Sequence, residues 1–204
     1  MSREIIAILR GIRPEEVEAV TGALIDAGIG RIEVPLNSPD PFESIVRMRR
    51  FAGAAAVVGA GTVLSVDEVS RLASIGAQMV VSPDCNPEVI RATKAAGMLS
   101  FPGVFTPTEC FAALRAGADG IKIFPASQLG AAGLAAIRAV LPVGTRAYAV
   151  GGVGAADFVE WHKAGVTGFG LGTALYKPGM SAEDVGARAR AIVAAFDEVF
   201  GRES

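Results

Sequence analysis

One lysine lies inside a short apolar run, where a charged group is energetically unfavourable. Lys122 has Ile121 and Ile123 on either side and Phe124 after them, which predicts a buried strand. Burial removes water from an ammonium group, so a lysine here tends to pair with an acid or to lose its proton. A neutral amine is a nucleophile. The alternatives are a lysine that reaches solvent from the strand end and a structural ion pair.

Strand alternation identifies an acid that can share the interior with this lysine. In the run 31–36, Ile32 and Val34 point to one side of the strand and Glu33 points to the other. If the isoleucines beside Lys122 pack against helices, then Lys122 and Glu33 both point inward. A carboxylate near an amine nucleophile suits proton transfer, whereas a buried pair with only a structural task is energetically unfavourable.

Two glycine clusters near the end of the chain are typical of phosphate-binding loops. Gly151 and Gly152 follow one apolar run, and Gly170, Gly172 and Thr173 follow the next. Glycines leave backbone N–H groups free to approach an anion, which side chains would obstruct. Both clusters can also be ordinary tight turns.

Two further features could bind an anion: a third glycine run that ends in a hydroxyl, and an arginine with a fixed positive charge. We expect residues 59–62 to form a similar loop after the third strand, with the hydroxyl of Thr62 at its end. Arg10, just past the first strand, can bind a carboxylate or a phosphate. Either residue, taken alone, can equally be structural. His162 lies in a predicted helix and is assigned no role.

Eight strand-like runs, each followed by a segment with helical period, must position these residues. The runs cover 5–9, 31–36, 55–59, 78–81, 98–101, 120–124, 146–150 and 167–171. Continuous apolar strands that alternate with helices are typical of a parallel sheet closed on itself, so we predict a single (β/α)8 TIM barrel, α/β in class. We assign residues 1–204 to one domain. A doubly wound open sheet is the alternative, but its glycine fingerprint is incomplete here.

The barrel places the two candidate catalytic residues opposite each other. Glu33 is in the second strand and Lys122 in the sixth, four positions apart in a ring of eight. Alternate strands of a barrel contribute side chains to the same layer. The two side chains are therefore expected to face each other near the strand ends, where active sites of this fold lie.

Composition excludes several classes of function. The net charge is −2, from 19 basic and 21 acidic residues that are interspersed, so nucleic acid is not an expected partner. No apolar run approaches the roughly 18 residues that span a bilayer, so we predict no membrane association and a cytoplasmic location. Cys85, Cys110 and the single histidine match no zinc pattern, and both cysteines are expected to be free thiols.

Taken together, the motifs resemble the bacterial 2-keto-3-deoxy-6-phospho-sugar-acid aldolases over nearly the whole chain. The matching runs, in the family's order, are 7–12, 32–38, 59–63, 101–103, 106–109, 122–125 and 150–153. This resemblance implies a class I aldolase with Schiff-base chemistry, no metal and no other cofactor. It also implies a phosphorylated keto-sugar-acid substrate and a homotrimer.

The resemblance implies a role for each matching residue. Lys122 would form the Schiff base and Glu33 would shuttle protons, while the other residues would hold the substrate's anionic groups. Those binding residues are Arg10, Thr62, Gly151, Gly152 and Thr173.

Two positions favour one branch of this family. Asn37 and Val150 resemble the branch that acts on the galactonate epimer, whereas the gluconate branch tends to carry arginine and threonine there. A buried polar group that gains or loses a partner discriminates strongly between substrates. We therefore predict cleavage of 2-dehydro-3-deoxy-6-phosphogalactonate to pyruvate and D-glyceraldehyde 3-phosphate, with the gluconate epimer as the alternative.

Two other functions remain open at this point. Another phosphate-binding barrel, such as a sugar-phosphate isomerase or synthase, would share the glycine loops without requiring Lys122. A catalytically silent metabolite-binding protein would bind the ligand without cleaving it.

Overall fold

A computed structural model describes residues 3–201, in which parallel strands alternate with helices. The strands are β1 (Ile5–Ile8), β2 (Arg31–Pro35), β3 (Val57–Gly61), β4 (Met79–Val81), β5 (Leu99–Phe101), β6 (Gly103–Val104), β7 (Ile121–Ile123), β8 (Ala147–Val150) and β9 (Gly168–Leu171). The helices are α1 (Val17–Asp26), α2 (Pro41–Ala52), α3 (Val66–Ser74), α4 (Pro87–Ala95), α5 (Pro107–Arg115), α6 (Ala126–Arg138), α7 (Phe158–Lys163) and α8 (Ala182–Phe200). A short 3-10 turn, Ala155–Asp157, precedes α7.

The strands close into a ring with eight positions. Hydrogen bonding runs in the order β5-β4-β3-β2-β1-β9-β8-β7-β6, and every ladder is parallel. β5 and β6 are two halves of one extended segment, interrupted at Pro102, which has no N–H to donate. Its carbonyl still accepts a hydrogen bond from the Lys122 N–H at 2.8 Å, which continues the sheet across the break. The predicted (β/α)8 barrel is confirmed.

One predicted strand was displaced along the chain. β3 covers Val57–Gly61, two residues later than the predicted 55–59, and the short β6 lies just beyond the predicted run 98–101. The remaining strands lie within or overlap their predicted runs. Gly59 and Gly61 therefore belong to the strand, and the expectation that residues 59–61 form a loop was wrong. Only Thr62 follows the strand end as expected. Glycines are typical of turns, but here they leave space in the barrel for Met79 and Glu33.

Apolar side chains fill both sides of the sheet. The larger cluster lies between strands and helices, where residues such as Ile32, Ile121 and Ile123 are fully buried. A smaller cluster fills the barrel interior, and its members are Ile6, Ile8, Met79, Val81, Phe101, Tyr148 and Val150. The rings of Phe101 and Tyr148 meet edge to face at 5.2 Å between centroids. These side chains pack the interior of the barrel.

A charged network lies at the end of the barrel where the strands begin. The carboxylate of Glu4 accepts hydrogen bonds from Tyr148 Oη, from Arg146 Nη2 at 2.8 Å, and from both terminal nitrogens of Arg31. Burial alone would raise the pKa of Glu4, but the hydrogen bonds from Tyr148 and Arg31 and the Arg31 charge outweigh it, so this pKa is lowered. The network holds β1, β2 and β8 together at the end opposite the site.

Side-chain hydrogen bonds cap the first turns of α3 and α5. Ser65 and Thr106 each accept a hydrogen bond from the backbone N–H three residues later. In return, the carboxylates of Glu68 and Glu109 accept one from the N–H of the cap residue, which completes a capping box. Such caps fix where a loop ends and a helix begins, close to the strand ends. Among residues 3–201, none of the helices is both long and apolar enough to cross a bilayer.

Candidate active site

Lys122 lies at the centre of β7 and points into the barrel. Its side chain is 7% exposed, while Ile121 and Ile123 face the helices and are fully buried. Burial lowers the pKa of Lys122, the Arg10 charge lowers it further, and the Glu33 charge acts in the opposite direction. Its Nζ lies 4.6 Å from the centroid of the Phe124 ring. The expected burial of this amine is confirmed, and the reading of a lysine that reaches solvent was wrong.

Glu33 lies in β2, across the ring from Lys122. It is 2% exposed, and burial raises its pKa to about 7, against the effect of the Lys122 and Arg10 charges. Its Oε2 has no hydrogen-bond partner among the described residues. The side chains of residues 3–201 include no direct ion pair between Glu33 and Lys122. The two charges therefore influence each other without forming the direct ion pair that a purely structural role would require.

Two glycines in β3 make room for neighbouring groups, and one of these groups is the Glu33 carboxylate. A Cβ atom added to Gly61 would lie 1.6 Å from Oε2 of Glu33, and one added to Gly59 would lie 1.9 Å from the backbone oxygen of Met79. Real Cβ atoms do not approach so closely, because such contacts are strongly repulsive. The glycines of this run therefore serve the carboxylate and the neighbouring strand.

Three predicted residues meet at the ends of β1, β2 and β3. Arg10 donates a hydrogen bond from Nη1 to Oδ1 of Asn37 and a longer one, at 3.4 Å, from Nη2 to Oγ1 of Thr62. Nearby, the N–H of Gly11 donates to Oγ of Ser38 at 3.0 Å. Asn37 and Thr62 thus hold the guanidinium on the β1–β3 side of the barrel mouth.

A cleft of about 490 Å³ opens above Lys122 and Glu33. The predicted site residues that line it are Arg10, Glu33, Lys122, Val150, Gly151, Gly152 and Thr173. Asn37 and Thr62 are not part of its lining and are linked to it through Arg10. The structure therefore brings the predicted residues together at the end of the barrel where the strands terminate.

The loop after β8 requires glycine at two successive positions. Gly151 and Gly152 have φ angles of 94° and 76°, in the left-handed region that other residues seldom adopt. A Cβ atom at Gly151 would lie 3.2 Å from the Phe124 ring, and one at Gly152 would lie 2.7 Å from Ser127. Backbone therefore forms this part of the cleft wall, as a phosphate site would need.

Sequence reasoning missed several residues of the cleft. Ile8, Phe124, Tyr176 and Lys177 also line it. Phe124 follows Lys122 closely enough to have been inferred from the strand. Lys177 follows the last glycine cluster by a few residues, and a charge at that place is the signal that could have identified it.

The histidine and the two cysteines, which are given no role in the site, do not line the cleft. His162 is exposed on α7, where its ring is 4.5 Å from that of Phe200. Cys85 and Cys110 are free thiols, as expected. The described residues contain no group of three or more histidines, cysteines or acids that could hold a metal ion.

Comparison with known proteins identifies the family. The family model described as "KDPG and KHG aldolase" matches residues 1–190. The chain belongs to this family. A probable 2-dehydro-3-deoxy-6-phosphogalactonate aldolase of Rhizobium meliloti (strain 1021) is 55% identical over 98% of this chain and 95% of its own. The 2-dehydro-3-deoxy-6-phosphogalactonate aldolase of Escherichia coli (strain K12) is 46% identical over 95% of both chains.

A solved structure of the same family agrees with the fold. The structure described as native KDPGal superposes with a TM-score of 0.96 and 44% identity, over 98% of this chain and 97% of its own. The aldolase family therefore accounts for both the sequence motifs and the barrel, as the resemblance implied.

Proposed function

We propose that this aldolase is a class I enzyme that cleaves 2-dehydro-3-deoxy-6-phosphogalactonate to pyruvate and D-glyceraldehyde 3-phosphate. The observation that carries the proposal is the buried pair of Lys122 and Glu33, whose pKa values are shifted in opposite directions and which make no direct ion pair. The two relatives, both named as 2-dehydro-3-deoxy-6-phosphogalactonate aldolases, support this choice of substrate. A pair of titratable groups with pKa values moved toward neutrality is suited to proton exchange during catalysis.

Carbon–nitrogen bond formation begins the proposed reaction. The lowered pKa of Lys122 favours the neutral amine, whose Nζ attacks the C2 ketone of the substrate. Loss of water from the adduct leaves a cationic iminium. That positive charge is the electron sink for the next step, so Lys122 itself supplies the electrophile that cleavage requires.

Carbon–carbon bond cleavage follows. Glu33, acting directly or through one water, removes the proton from the C4 hydroxyl, and the C3–C4 bonding electrons move into the iminium. Glyceraldehyde 3-phosphate leaves and an enamine of pyruvate remains on Lys122. Protonation at C3 and hydrolysis of the iminium then release pyruvate and restore the amine.

The two ends of the substrate carry the anions that the cleft must hold. We assign the carboxylate to Arg10, because Asn37 and Thr62 hold its guanidinium on the β1–β3 side. We assign the phosphate to the loops after β8 and β9, where Gly151 and Thr173 line the cleft. Asn37 acts in this proposal through Arg10, which makes it a positioning residue.

Val150 supports the galactonate epimer as the substrate. It lines the cleft and packs closely on Gly170, where an added Cβ atom would lie 2.7 Å from its Cγ2. Its side chain offers no hydrogen bond, in contrast to the threonine that the gluconate branch tends to carry. The C4 epimers differ in the direction of one hydroxyl, and a wall that cannot bond it selects by shape.

We extend the proposal to the assembly and location of the enzyme. The family resemblance supports a homotrimer with each chain forming one domain. A phosphorylated substrate does not cross membranes unaided, which supports a cytoplasmic enzyme of galactonate breakdown. Light scattering of the purified protein tests the assembly, and a monomer at micromolar concentration would contradict it.

One pair of measurements tests the function. Incubation with pyruvate and borohydride should add the mass of reduced pyruvate to the peptide that contains Lys122. A coupled dehydrogenase assay should then detect glyceraldehyde 3-phosphate, with a higher kcat/KM for the galactonate epimer than for the gluconate epimer. Absence of the adduct would refute the Schiff base, and equal rates would refute the assigned specificity.

A further inference from the structure

Lys177 is a cation of the cleft wall to which the mechanism above gives no task. It follows β9 in the same segment as Thr173, and both residues line the cleft. The N–H groups of Leu175 and Tyr176 donate to the carbonyl of Gly172 at 2.8 and 2.9 Å. This tight turn brings the chain back toward the mouth of the barrel, where Lys177 follows.

The backbone of this segment rests on the end of β1. A Cβ atom added to Gly11 would lie 2.7 Å from Cγ of Pro178, so glycine is needed there for the close approach. The N–H of Lys177 also donates to Sδ of Met180, at 3.3 Å. The position of Lys177 at the cleft is therefore set by packing, although its side chain is exposed.

The three basic side chains that line the cleft differ in their burial and in their hydrogen-bond partners. Lys122 is buried and its pKa is lowered, and the guanidinium of Arg10 bonds Asn37 and Thr62. The ammonium of Lys177 has no hydrogen-bond or ion-pair partner within residues 3–201. It is thus the available positive charge on the side of the cleft that the glycine loops form.

We propose that Lys177 forms an ion pair with the phosphate group of the substrate and so selects phosphorylated aldehydes over unphosphorylated ones. This inference rests on the proposed function, because it assigns the phosphate to the β8–β9 side. Backbone N–H groups supply directional hydrogen bonds, whereas a lysine supplies a mobile point charge that tolerates a rotating phosphate. The two kinds of contact are complementary.

Three variants test the role of this charge. Lys177→Met removes the charge and keeps an unbranched side chain, and Lys177→Arg retains the charge. Lys163→Met is the matched control, because Lys163 is exposed on α7, away from the cleft. The aldol synthesis from pyruvate is measured with glyceraldehyde 3-phosphate and with glyceraldehyde. The affinity for inorganic phosphate is measured separately by calorimetry, which does not depend on turnover.

In Lys177→Met, we expect the ratio of kcat/KM for the phosphorylated aldehyde to that for glyceraldehyde to fall about five- to tenfold, mostly through KM. The affinity for inorganic phosphate should fall by a similar factor. Lys177→Arg should recover most of both, and Lys163→Met should match the wild type. An unchanged ratio together with unchanged phosphate affinity would overturn the inference while leaving the aldolase intact. Failure of the proposed function itself would appear instead as no pyruvate adduct on Lys122 in any variant.

Discussion

At the scale of single residues, the barrel interior shifts the pKa values of Lys122 and Glu33 in opposite directions. Burial disfavours the charged form of both Lys122 and Glu33, which lowers the pKa of the amine and raises that of the carboxyl to about 7. Their mutual attraction opposes both shifts without cancelling them. In the proposed mechanism the lysine attacks as a neutral amine, and the acid accepts and returns protons near neutral pH.

Replacing Lys122 by arginine tests whether a nucleophile or only a charge is needed. Arginine stays protonated in proteins, so it keeps the positive charge but cannot form an imine. We expect Lys122→Arg to lower kcat by about 10³-fold or more. The coupled assay measures this loss, and mass spectrometry after borohydride treatment should find no adduct. Lys163→Arg serves as the control, and appreciable activity of Lys122→Arg would count against the mechanism.

The pH profile of the enzyme should report the ionisation of Glu33. A base must be ionised, so kcat/KM should rise with pH and level off above the pKa of about 7. Glu33→Gln should lose this rising limb and about 10²- to 10⁴-fold in kcat. It should still form the borohydride adduct, because imine formation uses Lys122. A rising limb that persists in Glu33→Gln would assign the ionisation to another group.

At the scale of elements, the direction in which each β3 residue points was predicted correctly even though the strand boundaries were not. The strand begins two residues later than predicted, and a shift of two leaves every side chain on its original face. Gly59 and Gly61 therefore point into the barrel under either assignment. What changed is their task, since Gly61 makes room for Glu33 instead of forming a loop.

Substituting Gly61 with alanine tests this steric role. The new methyl would overlap the Glu33 carboxylate, which must then move away from the cleft. We expect Gly61→Ala to reduce kcat/KM by about 10²-fold, in line with the effect of small misplacements of catalytic groups. Circular dichroism checks that the barrel persists.

Gly22→Ala is the matched control for that experiment. Gly22 lies inside α1, where the added Cβ would make an ordinary contact at 3.4 Å with the Phe51 ring. Alanine also favours the helix, so stability should hold or rise slightly. Equal losses of activity in Gly22→Ala and Gly61→Ala would show that the effect is not specific to Glu33.

At the scale of the whole molecule, the two ends of the barrel shift the pKa of a carboxyl group in opposite directions. Glu4, at the end where the strands begin, is bonded by Tyr148, Arg146 and Arg31, and its pKa is lowered. Glu33, at the cleft end, has an unpartnered oxygen and a raised pKa. The Glu4 end of the barrel thus contributes stability, whereas the Glu33 end carries a destabilised carboxylate, which the proposed mechanism uses as a base.

The same substitution at both ends should have opposite effects on stability. The folded pKa of Glu33 is raised, so its ionisation destabilises the fold as pH rises through about 7, and Glu33→Gln should raise Tm at pH 8 relative to the wild type. The folded pKa of Glu4 is lowered, so its stabilisation is present at neutral pH and is lost in acid. Glu4→Gln should therefore lower stability at pH 8 by about 1–3 kcal/mol.

Thermal unfolding at pH 8 and pH 5 measures both effects. Moving to pH 5 should shrink the gain of Glu33→Gln, because the wild-type carboxyl is then protonated. The loss in Glu4→Gln should persist at pH 5, because its pKa is already below the ordinary value. A loss of stability in Glu33→Gln at pH 8 would contradict the view that this carboxylate is held at a thermodynamic disadvantage.

The sequence by itself determined the barrel, the inward direction of Lys122 and Glu33, and the glycine loops near the strand ends. Those features follow from local periodicity and side-chain alternation, which neighbouring residues encode. Only the tertiary structure decided that Arg10 bonds Asn37 and Thr62, residues 27 and 52 positions away along the chain. It also decided that Lys177 returns to the cleft. Such contacts depend on how distant strand ends converge when the ring closes, and local patterns carry no record of that geometry.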